Sequence, residues 1–204
     1  MSNSNAIVFI GAAGAGKDTA AAAVLEAVPG SRNLKFAEAL KDVCARVYGW
    51  DRERLDSDLD YKESPAYYAS GRPCVVSGRG EVQTRRQLLQ HIGTDLFRGM
   101  NEDVWLNAAL EGVHNSPPSP LWIATDTRFN NEVEFIREQF DRTYVVRVVR
   151  EGAKAGTDAS RHASEQGHAK IKADLEIRVG DGRVHQLQVQ ALDIALKFIG
   201  WRSA

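Results

Sequence analysis

The chain has 204 residues, with 26 Lys+Arg against 27 Asp+Glu and a formal net charge of −1. Hydrophobic residues make up 43% and charged residues 26%, which excludes a mainly disordered chain and leaves one globular domain with room for a core. Near-neutrality argues against a broad basic surface for a nucleic-acid polymer or a membrane, so any bound anion has to be held by local groups.

The first element is the apolar run Ala6-Ile7-Val8-Phe9-Ile10, which predicts a buried strand ending at Gly11. A helix is expected from about Gly16 to Val28, rich in alanine and stopped by Pro29-Gly30. Leu34-Lys35-Phe36 reads as a short second strand. Ala37 to Tyr48 reads as an amphipathic helix with Leu40, Val43, Cys44 and Val47 on one face. Trp50 to Gly80 has no period and reads as an inserted, partly irregular lobe. Gln83 to Phe97 is helical with a break expected at Gly93, and Asp103 to Val113 is a further helix.

After the loop Asn115 to Pro120, Leu121 to Thr125 is a second buried strand ending at Asp126. Asn131 to Phe140 is a helix, and Thr143 to Val149 is a third strong strand ending at Arg150. Glu151 to Lys172 is polar. Leu175 to Val179 alternates like a last strand, Gly180-Asp181-Gly182 is a turn, and Val184 to Ile199 is a closing helix. Strands alternating with helices predict an α/β fold with a mainly parallel sheet. Cys44 and Cys74 form neither a CxxC pair nor a disulfide framework, which suits a reducing compartment. No apolar run approaches the roughly eighteen residues of a membrane span, and Met1 to Asn5 lacks a secretory pattern. The expected location is the cytoplasm, the host's for a viral chain.

The most specific signal is Gly11-Ala12-Ala13-Gly14-Ala15-Gly16-Lys17-Asp18-Thr19, a G-x-x-x-x-G-K sequence between a predicted strand and a predicted helix. Glycines let the backbone curl until successive N–H groups face phosphate oxygens. The helix N-terminus adds positive potential, and Lys17 can reach β- and γ-phosphates. Asp18 stands where Ser or Thr is usual, with Thr19 one place later. A metal ion could be held by Asp18, by Thr19, or through water.

Other charges sit at strand ends, where open α/β sheets bind ligands. Asp126 is either a metal-holding acid or a helix cap. Arg128 is either a phosphate clamp or the ion-pair partner of Glu132. Arg150 stands at the start of the polar stretch and could swing onto phosphoryl oxygens, with Lys154 and Arg161 as further candidates. The five histidines show no metal-ligand spacing, and Tyr67 and Tyr68 read as packing residues more readily than as a stacking platform.

Gly14-Ala15-Gly16-Lys17-Asp18-Thr19 resembles the phosphate loop of the deoxynucleoside monophosphate kinases of bacteriophages. Four further blocks resemble that family and follow its order. They are Phe36-Ala37-Glu38-Ala39-Leu40-Lys41; Arg86 to Asp95; Asp126-Thr127-Arg128 with Asn131-Glu132; and Arg150 followed by His162-Ala163-Ser164-Glu165. Together they span about residues 6 to 199.

The resemblance implies a single P-loop kinase domain over residues 1–204, of the adenylate-kinase type. It implies ATP, Mg²⁺ and transfer of the γ-phosphoryl group to a deoxynucleoside monophosphate. Gly11, Ala13, Gly14, Ala15, Gly16, Lys17, Asp18, Thr19 and Arg150 would meet ATP. Asp18, Thr19 and Asp126 would attend the metal, and Lys17, Asp18, Arg128 and Arg150 the transfer. Residues 37–98 would form the acceptor-binding side. Lys41, Arg86 and Arg128 would hold the acceptor phosphate there, with Phe36, Gln90, Thr94, Asp95 and Glu165 also on the substrate. Residues 150–172 would be a lid. The turn Gly180-Asp181-Gly182 would lie near adenine, although it lacks the Asn of the family pattern.

Animal-type phosphomevalonate kinases share a similar Gly-Lys-Asp loop, and Gly93-Thr94-Asp95 favours the nucleotide over that acceptor. A nucleotide-binding switch without catalysis would need no set such as Arg86, Arg128 and Arg150. The implied partners are small nucleotides, not a nucleic-acid polymer or a membrane. A homodimer is left open.

Overall fold

The structure, a computed structural model, describes residues 4–76, 80–152 and 167–200. The elements run β1 (Asn5–Ile10), α1 (Lys17–Ala27), β2 (Arg32–Leu34), α2 (Glu38–Tyr48), α3 (Arg54–Ser57), α4 (Leu59–Glu63) and α5 (Arg85–Gln90). A π-helical stretch (His91–Arg98) follows, then α6 (Val104–His114), β3 (Leu121–Ala124), α7 (Asn130–Gln139) and β4 (Arg142–Glu151). A 3₁₀ turn (Gly167–Lys170), β5 (Leu175–Gly180) and α8 (Val184–Ile199) complete the chain. There are two compact units, Met1–Lys35 with Leu110–Ala204, and Phe36–Ala109.

The first unit is built on a five-stranded sheet of order β2-β3-β1-β4-β5, with every pairing parallel. The α/β expectation therefore holds, and the sheet is wholly parallel. A parallel sheet is covered on both faces, which is why β1 reads as an unbroken apolar run. Ala6 to Ile10 are all buried. Ile7 and Phe9 share one face with Leu121, Ile123, Val146, Val148, Ile177 and Val179, and α1 and α8 cover it. The alanines of α1 and α8 (Ala20, Ala21, Ala191 and Ala195) belong to this core, together with Leu187 and Phe198. Full burial of a side chain the size of Leu187 or Phe198 contributes about 1.5–3 kcal/mol. On another side of the sheet Trp122 meets Phe140, with ring centroids 6.3 Å apart.

The second strand lies two residues earlier than expected. Arg32, Asn33 and Leu34 pair with Trp122, Ile123 and Ala124, and Phe36 is buried outside the strand.

In the second unit α2 turns only part of its predicted apolar face inward. Leu40 and Cys44 are buried, but Val43 and Val47 are 43% and 60% exposed. The irregular lobe contains α3 and α4, joined through Asp58, whose carboxylate accepts from Tyr61 N–H at 2.8 Å and caps α4. Tyr48 stacks on Trp50 at 4.7 Å, and Trp50 Nε1 donates to the Tyr67 carbonyl. Tyr68 also meets Tyr48, with ring centroids 5.2 Å apart, while Tyr67 and Tyr68 both stay partly exposed, at 43% and 40%. The helix from Arg85 does not break at Gly93. It widens into the π-helical stretch, and the Gly93 carbonyl accepts from Trp105 Nε1 at 2.9 Å. A Cβ at Gly93 would come within 2.5 Å of Leu40 Cδ2, so the glycine leaves room for the Leu40 side chain of α2.

Gly11, at the exit of β1, has a φ of +149°, and a Cβ there would stand 2.4 Å from the Val148 carbonyl oxygen. Gly14 also has a positive φ, but its surroundings are open. Gly11→Ala is expected to cost about 1–3 kcal/mol beyond the cost of Gly14→Ala, because the backbone of β4 cannot yield as a side chain does. Urea unfolding of the two variants checks this, and equal losses would show that the Val148 contact is immaterial.

Candidate functional site

The first unit brings the phosphate loop and the ends of β1 and β3 to one place. The loop opens at Gly11, tightens through an Ala15 N–H to Ala12 carbonyl bond of 3.1 Å, and enters α1 at Gly16. Gly16 caps α1 in a left-handed conformation and has no side chain with which to satisfy the first N–H groups. Such a terminus favours an anion. Lys17 is only 6% exposed, and its Nζ donates to the Gly11 and Ala12 carbonyls at 3.0 and 2.9 Å. A buried ammonium is costly unless it is hydrogen-bonded, and these carbonyls meet that cost while aligning the cation along the loop.

Asp18 accepts a hydrogen bond from Thr125 Oγ1 at 2.7 Å, across 107 residues of sequence. Thr125 is buried at the end of β3, immediately before Asp126. The fold thus associates Asp18 with the strand end that carries Asp126, and Thr19 follows on α1. These are oxygen donors, which suit Mg²⁺. Among the described residues no group of three or more His, Cys, Asp or Glu side chains forms a preassembled metal cluster.

Arg128 is half-buried in the turn between β3 and α7. Glu132 beside it is buried rather than a surface group. It is 4% exposed, and its Oε2 accepts the backbone N–H groups of Arg128 and Phe129 at 2.6 and 3.0 Å. It therefore shapes the turn that carries Arg128. Gly167 packs against the same turn so closely that a Cβ would lie 2.1 Å from the Arg128 carbonyl oxygen. Arg147 on β4 donates to the carbonyls of His168 and Ile171, at 3.3 and 2.6 Å, and fixes the chain that follows Gly167. Arg150 is exposed at 41% of its side chain and lies 3.4 Å from Asp181 in the Gly180–Gly182 turn. Lys154, Arg161, His162, Ala163, Ser164 and Glu165 lie outside the described residues, as does most of the expected lid.

The second unit holds the other expected substrate residues. Thr84 and Gln87 form a capping box, Gln87 N–H to Thr84 Oγ1 and Thr84 N–H to Gln87 Oε1, which starts α5 and sets Arg85 and Arg86 in its first turn. Two cations there oppose the helix dipole. Arg86 is matched by Glu63. Arg85 donates to the Tyr61 and Pro65 carbonyls and to Ser64 Oγ, and stacks 3.9 Å over the Tyr61 ring. Lys41 pairs with Asp56, which also binds Arg52. Burial would raise the Asp56 carboxyl, but hydrogen bonds from Lys41 and Arg52 outweigh it and hold it down at about 2. Gln90 is half-buried, and its Nε2 has no hydrogen-bond partner among the described residues. Thr94 and Asp95 lie on the π-helical stretch, where Asp95 Oδ2 meets His91 Nδ1 at 2.9 Å.

Sequence reasoning did not find Thr125, Arg147, Gly167 or the backbone contacts of Glu132. Only the capping pattern Thr84-x-x-Gln87 was available as a local signal. Removing Glu132 by Glu132→Ala strands two backbone donors and is expected to cost about 1–3 kcal/mol each in the worst case, read as a lowered unfolding midpoint. An unchanged midpoint would mean water replaces the carboxylate.

No protein-family profile matches the chain. A curated protein of Acanthamoeba polyphaga mimivirus, described as "Putative deoxynucleotide monophosphate kinase", is 26% identical over 202 residues, covering 91% of this chain and 93% of that protein. The resemblance read from the sequence is thus matched by a relative of the same description. Among solved structures, an unliganded sugar kinase from Janibacter sp. aligns over 97% of this chain and 95% of its own, at 14% identity and a TM-score of 0.41. No helix among the described residues is long and apolar enough to cross a membrane.

Proposed function

We propose that this chain is an ATP-dependent phosphotransferase whose acceptor is a deoxynucleoside monophosphate, converted to the diphosphate. The observation that carries the reading is the buried Lys17, held on a glycine-shaped loop between β1 and α1 with Asp18 tied to the end of β3. The near-full-length relative described as a deoxynucleotide monophosphate kinase supports the choice of acceptor.

In this reading Gly11, Ala13, Gly14, Ala15, Gly16 and Thr19 surround the phosphates of ATP, and Lys17 donates to the β- and γ-oxygens. Asp18, Thr19 and Asp126 hold the metal, directly or through water. Mg²⁺, when bound with ATP, supplies neutralisation of phosphate charge. The acceptor is already a phosphate, largely dianionic near neutral pH, so no strong general base is required. The protein's task is to bring two anions together and screen their repulsion. Lys41, Arg86 and Arg128 bind the acceptor phosphate, and Gln90 offers its unmatched Nε2 donor to the rest of the acceptor. Phe36, Thr94, Asp95 and Glu165 complete the substrate residues. Arg150 meets the transferring group, and residues 150–172 act as a lid that excludes water, a competing acceptor.

Lys17→Ala is expected to lower turnover at least ~100-fold, about 2.7 kcal/mol of transition-state stabilisation. Near-wild-type turnover would rule out the loop's role. Arg128→Ala is expected to raise KM for the monophosphate more than KM for ATP, and an effect on ATP alone would remove Arg128 from the acceptor site. The activity itself is tested by ADP release with and without each deoxynucleoside monophosphate. Stimulation by one or more of them supports the kinase. Stimulation by phosphomevalonate alone points to that acceptor, and tight ATP binding without stimulation points to a switch.

A further inference from the structure

Lys41 and Arg86, two cations of the second unit proposed to bind the acceptor phosphate, are each already engaged by a carboxylate. Lys41 Nζ donates to Asp56 Oδ1, and Arg86 Nε to Glu63 Oε1. The two carboxylates come from one short segment, because α3 and α4 are consecutive turns sharing Asp58 as the C-cap of one and the N-cap of the other. We propose that segment 54–63 is a carboxylate-bearing strap in which Asp56 and Glu63 stand in for the acceptor's phosphate on Lys41 and Arg86 until that phosphate displaces them. The proposal rests on the acceptor site described above.

The surroundings make the exchange inexpensive at both ends. Both pairs are partly exposed, with side-chain accessibilities of 18% and 33% for Lys41 and Asp56 and 23% and 45% for Arg86 and Glu63. Ion pairs so open to water are weak. When Lys41 leaves, Asp56 keeps a cation, since its Oδ2 accepts from Arg52 Nη1, and Arg52 is itself fastened to Asp42 and Glu38 on α2. When Arg86 leaves, Glu63 can hydrate, and the end of α4 stays fixed because Arg85 grips the carbonyls of Tyr61 and Pro65. The adjacent arginines therefore divide the work, Arg85 anchoring the strap and Arg86 exchanging partners.

A phosphate monoester dianion carries more charge than a carboxylate and draws the same cations more strongly. A monoanion, matched in charge with the carboxylate it has to replace, displaces the strap less readily than a dianion does. The strap would thus lower the affinity for every anion and leave dianions favoured.

Glu63→Gln is the cleaner test, because Asp56→Asn also deprives Arg52 of a partner and can loosen the lobe. In Glu63→Gln, KM for the monophosphate is expected to fall about two- to fivefold, the scale of a partly exposed ion pair, with KM for ATP unchanged. A KM that rises would show that Glu63 positions Arg86 rather than competes for it, and would overturn the proposal. Inorganic phosphate titrated into the nucleotide-free protein separates this question from the activity. Tighter phosphate binding by Glu63→Gln than by wild type supports the strap even if no monophosphate is turned over, in which case only the kinase reading fails. Equal or weaker phosphate binding overturns the strap whatever the turnover.

Discussion

A lysine ammonium with 6% exposure needs oxygen atoms around it, and in this fold the Gly11 and Ala12 carbonyls provide them. Much of the first unit follows from that requirement. For these carbonyls to turn toward Lys17 the chain must leave β1 through Gly11, in a conformation and at a distance from Val148 that no other residue tolerates. It must then enter α1 through Gly16, where a Cβ would come within 2.6 Å of Leu187 on α8. The loop is therefore clamped between β4 and α8, and the core beneath it holds the cation in place before any anion arrives. Preorganisation of this kind is what makes a charge effective in catalysis.

The turn carrying Arg128 is built on the same logic with the signs reversed. Here a buried carboxylate, Glu132, is satisfied by the backbone N–H groups of Arg128 and Phe129. Gly167 seats the returning chain on the Arg128 carbonyl, and Arg147 holds that chain to β4. Thus the chain that returns at Gly167 is fastened by the guanidinium of Arg147 and by the missing side chain of Gly167, both acting on backbone carbonyls. In the second unit, polar side chains do more of the holding: Arg52, Arg85, Asp56 and Glu63 lace short helices that have few buried residues of their own.

The two units differ correspondingly in how well they could be read. β1, the phosphate loop and α1 are contiguous, so their chemistry is written in one stretch of sequence with its strand-to-helix context. β3 was legible because full burial on both sheet faces demands an unbroken apolar run, and β4 because its buried Val145, Val146 and Val148 stand in a β-branched stretch. The face of α2 was misread in part. Helical spacing says that Leu40, Val43, Cys44 and Val47 lie near one another, but not which of them a neighbour covers, and Val43 and Val47 remain exposed. β2 was displaced because a strand so short is placed by its register against β3 rather than by its own pattern.

What the sequence by itself determined is the identity of the local machinery. It specified a glycine loop with a lysine, an acid at the end of a buried strand, and arginines at Arg86, Arg128 and Arg150, because each depends on residues adjacent in the chain. Only the tertiary structure decided their partners. Thr125 reaches Asp18 across 107 residues, Glu132 accepts the Arg128 and Phe129 N–H groups, and Lys41 and Arg86 meet Asp56 and Glu63. A charge's sign and position are sequence properties. Its partner depends on which distant oxygen or nitrogen the packed core brings within about 3 Å, a distance that no spacing along the chain encodes.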